Sequence, residues 1–294
     1  MPVSTTDAQN WASPGAKDSM AKTYAAVKVA LENNENIKRH NIDIFLQGSY
    51  ANATNIRGDA DVDVVVMLRS SWIADTSRLP LLQKLAYDND HSSATYGAKE
   101  LRADALAALV GRFGSDKVNA KNKCIRVDKS DGYVDADVVP AIQHRIYTSY
   151  DSTTKGQYIE GVKIFTQKGP VIINYPKVHI ANGEAKNIAT SNNYKPAVRQ
   201  LKQLKRRAVQ SGRVDPRHAP GYLLECMTYN APNEVFSDDH HTRLTALLGW
   251  LLSVDFSKFT SVDGIHDLFV TDPGNFSAVT AKTVTRALAE EMVS

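Results

Sequence analysis

Gly48-Ser49, followed after a spacer by Asp59-Ala60-Asp61-Val62-Asp63-Val64-Val65-Val66, is the stretch from which the fold can be read. Val62 to Leu68 is almost continuously apolar and β-branched, which marks a buried central strand. Along a strand, residues i and i+2 point to one face, about 7 Å apart. Asp61 and Asp63 therefore present two carboxylates side by side at the mouth of a buried strand. Like charges so placed repel unless a cation sits between them. Hard divalent cations prefer such oxygen ligands. An Asp-x-Asp also occurs as a plain solvated strand entry, and three features weigh against that here. The strand that follows is too apolar for an edge. A second alternation, Asp135-Ala136-Asp137, precedes Val138-Val139. Gly48-Ser49 lies upstream at a strand end, where backbone N–H groups and a hydroxyl are placed to hold phosphate oxygens.

Outward from this stretch, Ile42 to Leu46 reads as a short strand and Ala21 to Asn33 as a helix. Lys99 to Phe113 is an amphipathic helix with Gly114 as its stop. Strands follow near Lys123–Val127 and Tyr133–Val139, joined at Ser130-Asp131-Gly132, and near Tyr158–Phe165 and Pro170–Tyr175. After Pro176 the character changes. Pro196 to Val209, Tyr222 to Tyr229, Thr242 to Leu252 and Ala278 to Met292 read as helices. The expected fold class is α/β (α+β), with a mixed sheet in residues 1–176 and a mostly helical lobe in 177–294. The helical lobe is expected to close a ligand cleft.

Composition narrows the classes. The chain has 294 residues, enough for two lobes. Its 43% hydrophobic and 23% charged residues exclude wholesale disorder. A net charge of +3 is too small to mark a nucleic-acid binder, so any anion site must come from local clustering. Cys124 and Cys226 are the two cysteines, which excludes a disulfide framework and a cysteine-rich zinc site. Both are expected to be buried free thiols of a reducing compartment. Met1 to Ala16 lacks the pattern of a signal peptide, and no apolar run spans a membrane, so the expected location is cytoplasmic.

The pattern of Gly48-Ser49, Asp61-x-Asp63 and a third Asp on a later strand resembles the nucleotidyltransferase superfamily that includes DNA polymerase β. Asp135 and Asp137 share a face, so periodicity leaves the choice between them open. Asp137 abuts the apolar run, the position of the third carboxylate in the resemblance. The wider string Gln47-Gly48-Ser49-Tyr50 with Thr54-Asn55-Ile56-Arg57-Gly58-Asp59 resembles the bacterial cyclic-oligonucleotide synthases, the CD-NTases, relatives of cyclic GMP–AMP synthase. Tyr158-Ile159-Glu160-Gly161, Asn174-Tyr175-Pro176-Lys177, Asn182-Gly183, Tyr194-Lys195-Pro196 and Leu224-Glu225-Cys226 are similar to clade E of that family.

The resemblance implies a polymerase-β-like nucleotidyltransferase lobe and an enzyme that joins nucleoside triphosphates into a cyclic nucleotide, a second messenger of anti-phage defence acting on a separate effector protein. UTP and ATP are the implied substrates and a uridine-containing cyclic dinucleotide the implied product. Two Mg²⁺ ions, for which Mn²⁺ can substitute, would be held by Asp61, Asp63 and Asp137. Gln47, Gly48 and Ser49 would seat the donor triphosphate, and Asn174 would read uracil. A side-chain amide has both a donor and an acceptor, and a flipped amide also pairs with cytosine.

Lys195 to Arg213 is densely basic. On a helix Arg199, Lys202 and Arg206 share one face, while Val198, Leu201, Leu204 and Ala208 share another. The basic face reads either as a solvated surface or as a neutraliser of phosphate, and Lys202 matches the lysine that does so in similar enzymes. Tyr222 is a further candidate, as a stacking platform for a base. Where those enzymes have Ser-Tyr, this chain has Gly221-Tyr222, so one hydroxyl contact is missing. His240-His241 beside Asp238-Asp239 reads as a loop and helix start, since no further ligand is spaced to complete a metal site. The rival readings are a transferase acting on an RNA or protein acceptor and a non-catalytic nucleotide sensor. No nucleic-acid module and no membrane partner is expected.

Overall fold

A computed structural model describes residues 1–15, 18–58, 61–130, 132–269 and 276–294. The helices are α1 (Thr5–Trp11), α2 (Asp18–Glu32), α3 (Gly48–Ala51), α4 (Leu81–Asp90), α5 (Ala98–Phe113), α6 (Pro176–Ala189), α7 (Tyr194–Gln210), α8 (Gly221–Tyr229), α9 (His240–Ser253) and α10 (Ala278–Val293). The strands are β1 (Ile42–Gln47), β2 (Val62–Asp75), β3 (Val118–Ala120), β4 (Ile125–Val127), β5 (Ala136–Ser149), β6 (Gln157–Ile164) and β7 (Ile172–Asn174). Asp59 and Asp131, both singled out in the sequence, lie outside the described residues. No helix among the described residues is long and apolar enough to cross a membrane.

The chain divides into two compact units. One comprises Lys17–Gln47 and Asp61–Val178; the other comprises Met1–Ala16, Gly48–Ala60 and His179–Ser294. This differs from the single cut expected at 176/177. The first residues join the helical unit because its α7 holds them: Gln200 Nε2 donates to the Ala8 carbonyl at 2.8 Å, and the Arg199 guanidinium donates to the carbonyls of Ala12 and Ala53.

The first unit carries a mixed seven-stranded sheet in the order β1-β2-β5-β4-β3, with β6 and β7 continuing from β5. The pair β2–β5 is parallel, and the other pairs are antiparallel. Both central strands run for 14 residues, longer than the apolar cores that mark them in the sequence. On one face Val65, Met67, Val139, Ala141, Val162 and Ile164 form an apolar cluster. On the opposite face Val62, Val64, Val66 and Val138 are fully buried. Helices α2 and α5 supply Met20, Val27, Leu31, Leu101, Ala105 and Leu109, also fully buried. Their intervals of four and seven residues are those of a one-sided helix.

In the second unit α7, α8, α9 and α10 share a core. Ala197, Val198, Leu201, Leu204 and Ala208 are the buried stripe of α7, as its periodicity predicts. Leu223, Leu224 and Met227 of α8, Leu244, Leu247 and Leu251 of α9, and Ala281 and Leu288 of α10 complete it. Helices α1, α3, α4 and α6, and the three-residue β3, have no counterpart in the sequence reading. Cys226 is buried, but Cys124 is only partly so, which corrects the expectation that both thiols are interior.

Candidate active site

In the sheet unit, one row of the register decides the site. Gln47 of β1 pairs with Asp63 of β2, Asp63 with Asp137 of β5, and Asp137 with Arg126 of β4. Residues level with one another on neighbouring strands share a face and stand about 4.8 Å apart. The four polar side chains are thus a line across the sheet, and directly inward along the same face lie Val65 and Val139 of the apolar cluster. Asp61 precedes Asp63 by two positions, and Asp135 precedes Asp137 by two. The register puts Asp137, not Asp135, level with Asp63.

The electrostatics follow from that line. Burial, then the charges of Asp137 and Asp61, raise the Asp63 carboxyl to about 7. Arg126 is the counter-charge. Its Nη1 lies 3.2 Å from Asp137 Oδ1 and 3.8 Å from Asp61 Oδ2, its Nη2 2.9 Å from Asp135 Oδ2, and its Nε 3.8 Å from Asp128 Oδ1. Burial pulls the guanidinium down, but its hydrogen bond to Asp137 and the surrounding carboxylates outweigh this and hold it above its usual value. The Cys124 thiol, beside Asp137, is pushed up to about 11 by burial and then by that carboxylate.

A raised Asp63 has a measurable consequence. A carboxyl whose folded-state value lies above its unfolded value loses stability as pH rises through that folded value. Ionisation of Asp63 thus costs the metal-free protein stability between about pH 4 and pH 7. Asp63→Asn, which cannot ionise, is expected to raise the thermal midpoint at about pH 8 and leave it nearly unchanged at about pH 4. The gain is at most about 4 kcal/mol, since each tenfold change in the protonation equilibrium is worth about 1.4 kcal/mol. Melting curves at the two pH values check it; an equal change at both removes the argument from burial and neighbouring charge.

As a metal-ligand set, Asp61, Asp63 and Asp137 offer only oxygen donors with excess negative charge, the chemistry that suits Mg²⁺ or Mn²⁺. Among the described residues no three His, Cys, Asp or Glu side chains converge on one point as they stand. Asp61 and Asp137 turn instead to Arg126, so the donor types fit while the arrangement shown is the guanidinium-bound one.

Asn174 ends β7, level with Val162 of β6, and is exposed. The neighbouring Gly161 explains why its backbone can lie there. A Cβ on Gly161 would meet the Asn174 carbonyl oxygen at 2.9 Å and the Tyr175 ring at 2.7 Å. Only a residue without a side chain permits that approach.

In the helical unit, Gly48 has φ +70°, a left-handed conformation that glycine adopts without strain. It opens α3, and the Ser49 carbonyl accepts from Thr54 N–H at 2.9 Å, closing the turn. The basic face of α7 exists as its spacing predicts, and two of its three cations, Arg199 and Lys202, are buried while Arg206 is exposed. Arg199 holds the Ala53 carbonyl, Lys202 holds Thr54, and Arg206 holds the Arg57 carbonyl. Three cations thereby clamp the segment 53–57 onto the helix.

Lys202 is the most enclosed of the three cations. It is 5% exposed. Its Nζ donates to the Thr54 carbonyl at 3.2 Å, Thr54 Oγ1 at 3.1 Å and Glu225 Oε2 at 3.1 Å. Glu225 also accepts from Thr54 Oγ1 at 2.9 Å, and its other oxygen lies 3.1 Å from His179 Nε2. Burial disfavours the Glu225 charge, but Lys202 and His179 overcome this and hold the carboxyl well below its usual range. At Gly221, where similar enzymes have serine, a Cβ would lie 3.3 Å from Lys202 Cε, tight against the lysine stem. Tyr222 is 43% exposed, its ring 5.8 Å from that of His179. The His240-His241 pair begins α9, with Asp239 as its cap, in keeping with a helix start.

Arg126, Thr54 and Gly161 carry parts of these arrangements that sequence reasoning did not assign. Arg126 had a signal, a lone cation in a short strand between Cys124 and Asp128. Glu225 also had one, a carboxylate in an otherwise apolar helical run.

A mixed sheet with an Asp-x-Asp strand lying parallel to a second aspartate-bearing strand, accompanied by a helical unit, defines a nucleotidyltransferase of the polymerase-β type. Residues 181–292 match the model of the cGAS/DncV-like nucleotidyltransferase C-terminal helical domain. The chain is 36% identical over 276 residues to the cyclic nucleotide synthase CdnE01 of Staphylococcus haemolyticus, covering 92% of this chain and 91% of that protein. It is 34% identical to a cyclic UMP-AMP synthase of Rhodothermus marinus, over 97% of this chain and 96% of the relative. The solved structure of R. marinus CdnE c-UMP-AMP synthase with Apcpp and Upnpp superposes with a TM-score of 0.87 at 33% identity, covering 98% and 96% of the two chains. The chain belongs to the CD-NTases, the cGAS/DncV-like nucleotidyltransferases, and its relatives there are cyclic nucleotide synthases.

Proposed function

We propose that this chain joins UTP with ATP, or with a second UTP, into a uridine-containing cyclic dinucleotide, releasing pyrophosphate at each of two bond-forming steps. The observation that carries nucleotidyl transfer is the register pair Asp63–Asp137 across parallel strands; the choice of UTP and ATP is supported by the similarity to the R. marinus cyclic UMP-AMP synthase. The product would act on a separate effector protein in anti-phage defence.

In this reading Gly48, Ser49 and Gln47 seat the donor triphosphate. Asp61, Asp63 and Asp137 hold two Mg²⁺ ions, with Mn²⁺ able to substitute. Bound there, the metal would supply charge neutralisation at the leaving pyrophosphate and a lowered pKa at the attacking hydroxyl. The 3′ hydroxyl of the acceptor attacks the donor α-phosphate, and the second round closes the ring. Tyr222 would stack on a base, and its partly exposed ring supports that role. Lys202 serves the triphosphate by fixing Thr54, and so the 53–57 segment, rather than by touching it.

The test is to incubate the purified protein with all four NTPs and Mg²⁺, with no RNA or protein acceptor, and to identify products by mass spectrometry. A cyclic product containing uridine supports the reading; transfer only when an acceptor is added supports the rival.

Asn174 selects the pyrimidine in this reading. A well-made bidentate base contact is worth about 1–3 kcal/mol. Asn174→Ser keeps a small polar group and loses the paired donor and acceptor. It is expected to reduce the preference for UTP over GTP by about tenfold or more in competition assays, without raising the total rate. An unchanged preference assigns base reading to another residue, and a wild-type enzyme making only purine products removes the uridine assignment.

A further inference from the structure

Asp135 has no role in the proposed reaction, and Arg126 was not foreseen at all. Their geometry gives both one. The guanidinium is held by two sets of carboxylates. Nη1 faces the inner set, Asp137 at 3.2 Å and Asp61 at 3.8 Å. Nη2 and Nε face the outer set, Asp135 at 2.9 Å and Asp128 at 3.8 Å. Asp135 is itself anchored, its Oδ1 accepting the Lys129 N–H at 2.8 Å. Asp128 is anchored by the Asn119 amide at 2.8 Å.

Resting on the assignment of Asp61 and Asp137 as metal ligands, we infer that Arg126 is a built-in cation that competes with the divalent metal for the inner carboxylates, and that Asp135 and Asp128 are the dock that retains its guanidinium when the metal enters. The physical reasons are three. The inner carboxylates repel one another and Asp63, so a metal-free site needs a positive charge there. Arg126 supplies it from β4, level with Asp137, without a ligand. A guanidinium and a divalent cation against the same Asp137 oxygen repel one another, so each weakens the hold of the other. Arg126 need not leave the site, however. Its tightest contact, through Nη2, is already to the outer Asp135, so a small rotation frees Asp61 and Asp137 and keeps the charge paired. In this arrangement Arg126 and Asp135 are positioning residues. They hold the ligand set in shape before the metal arrives and set the affinity with which it is taken.

The consequence is a pair of effects of opposite sign. Arg126→Met removes the competitor and is expected to tighten Mn²⁺ binding by about tenfold. Asp135→Asn weakens the dock, leaves the guanidinium on the inner pair, and is expected to loosen Mn²⁺ binding by a similar factor. In the Arg126→Met background the Asp135→Asn loss should shrink to a minor part, because no guanidinium is left to dock. Simple loss of a nearby negative charge would weaken binding equally in both backgrounds.

The experiment is titration of the full-length protein with Mn²⁺, read by electron paramagnetic resonance of the free ion, with and without a non-hydrolysable nucleoside triphosphate. Asp137→Asn reports whether the ion sits at these carboxylates, and melting curves in chelator verify that each variant is folded. Tighter binding by Arg126→Met, abolished by adding Asp137→Asn, supports the inference. Equal or weaker binding by a folded Arg126→Met, with binding still dependent on Asp137, overturns it while the metal assignment stands. Mn²⁺ binding that never depends on Asp137 removes the metal assignment and this inference together. Should Arg126→Met fail to fold, Arg126→Gln, which keeps a hydrogen-bonding side chain without charge, carries the same expectation.

Discussion

Alanine at Asp61, Asp63 or Asp137 is expected to lower cyclic-nucleotide formation by about a thousandfold or more while the protein remains folded. Removing a ligand of the proposed metal pair forfeits charge stabilisation of several kcal/mol, and each 1.4 kcal/mol is about tenfold in rate. The loss should fall on kcat, because the stabilised charge develops in the transition state. The fold should survive, since the three carboxylates repel one another and Asp63 is raised to about 7 by burial and its neighbours. Asp135→Ala is the informative contrast. It lies at the entrance of β5 and pairs with Arg126, not level with Asp63. Its variant should keep at least about a tenth of the activity, in line with the value of one altered neighbour contact. Steady-state rates of the four variants, with circular dichroism to verify folding, decide the matter. A dead Asp135→Ala beside an active Asp137→Ala would exchange the roles of the two residues.

Lys202→Met is expected to act on stability. The lysine and Glu225 are both buried, 5% and 4% exposed, and the pair is joined through Thr54. Taking away one partner leaves an uncompensated buried carboxylate, a cost of about 3–5 kcal/mol. The folded-state depression of Glu225 depends on Lys202 and His179, so much of it disappears with the lysine. A double variant, Lys202→Met with Glu225→Gln, should recover most of the loss, because it removes both charges and leaves a hydrogen-bonding amide for Thr54 and His179. Lys205→Met, three positions along the same helix and only partly buried, should be nearly silent. Thermal and urea melts check the ordering. A Lys202→Met protein that melts like the wild type but has a raised KM for nucleotide would restore the phosphate-binding role that the sequence resemblance implies.

Local periodicity was enough to read much of this protein. The twofold alternation of Asp61 and Asp63 running into an apolar β-branched strand located the buried centre of the sheet and one face of the candidate site. The three- to fourfold repeat of α7 separated its apolar stripe from the shared face of Arg199, Lys202 and Arg206. These are properties of a single element, whose geometry is the same wherever it lies in the molecule. What the basic face holds depends on a segment far away in the chain, and the sequence alone left it as a solvated surface or a phosphate clamp. Tertiary structure decided that it grips the segment 53–57, since the burial of Lys202 arises from Thr54 and Glu225 closing over it. It also decided that β2 and β5 are parallel neighbours in the register that levels Asp63 with Asp137, and that Arg126 stands between the carboxylates. Strand order and register are set by which faces bury one another across long separations, and no repeat within a strand encodes its neighbour.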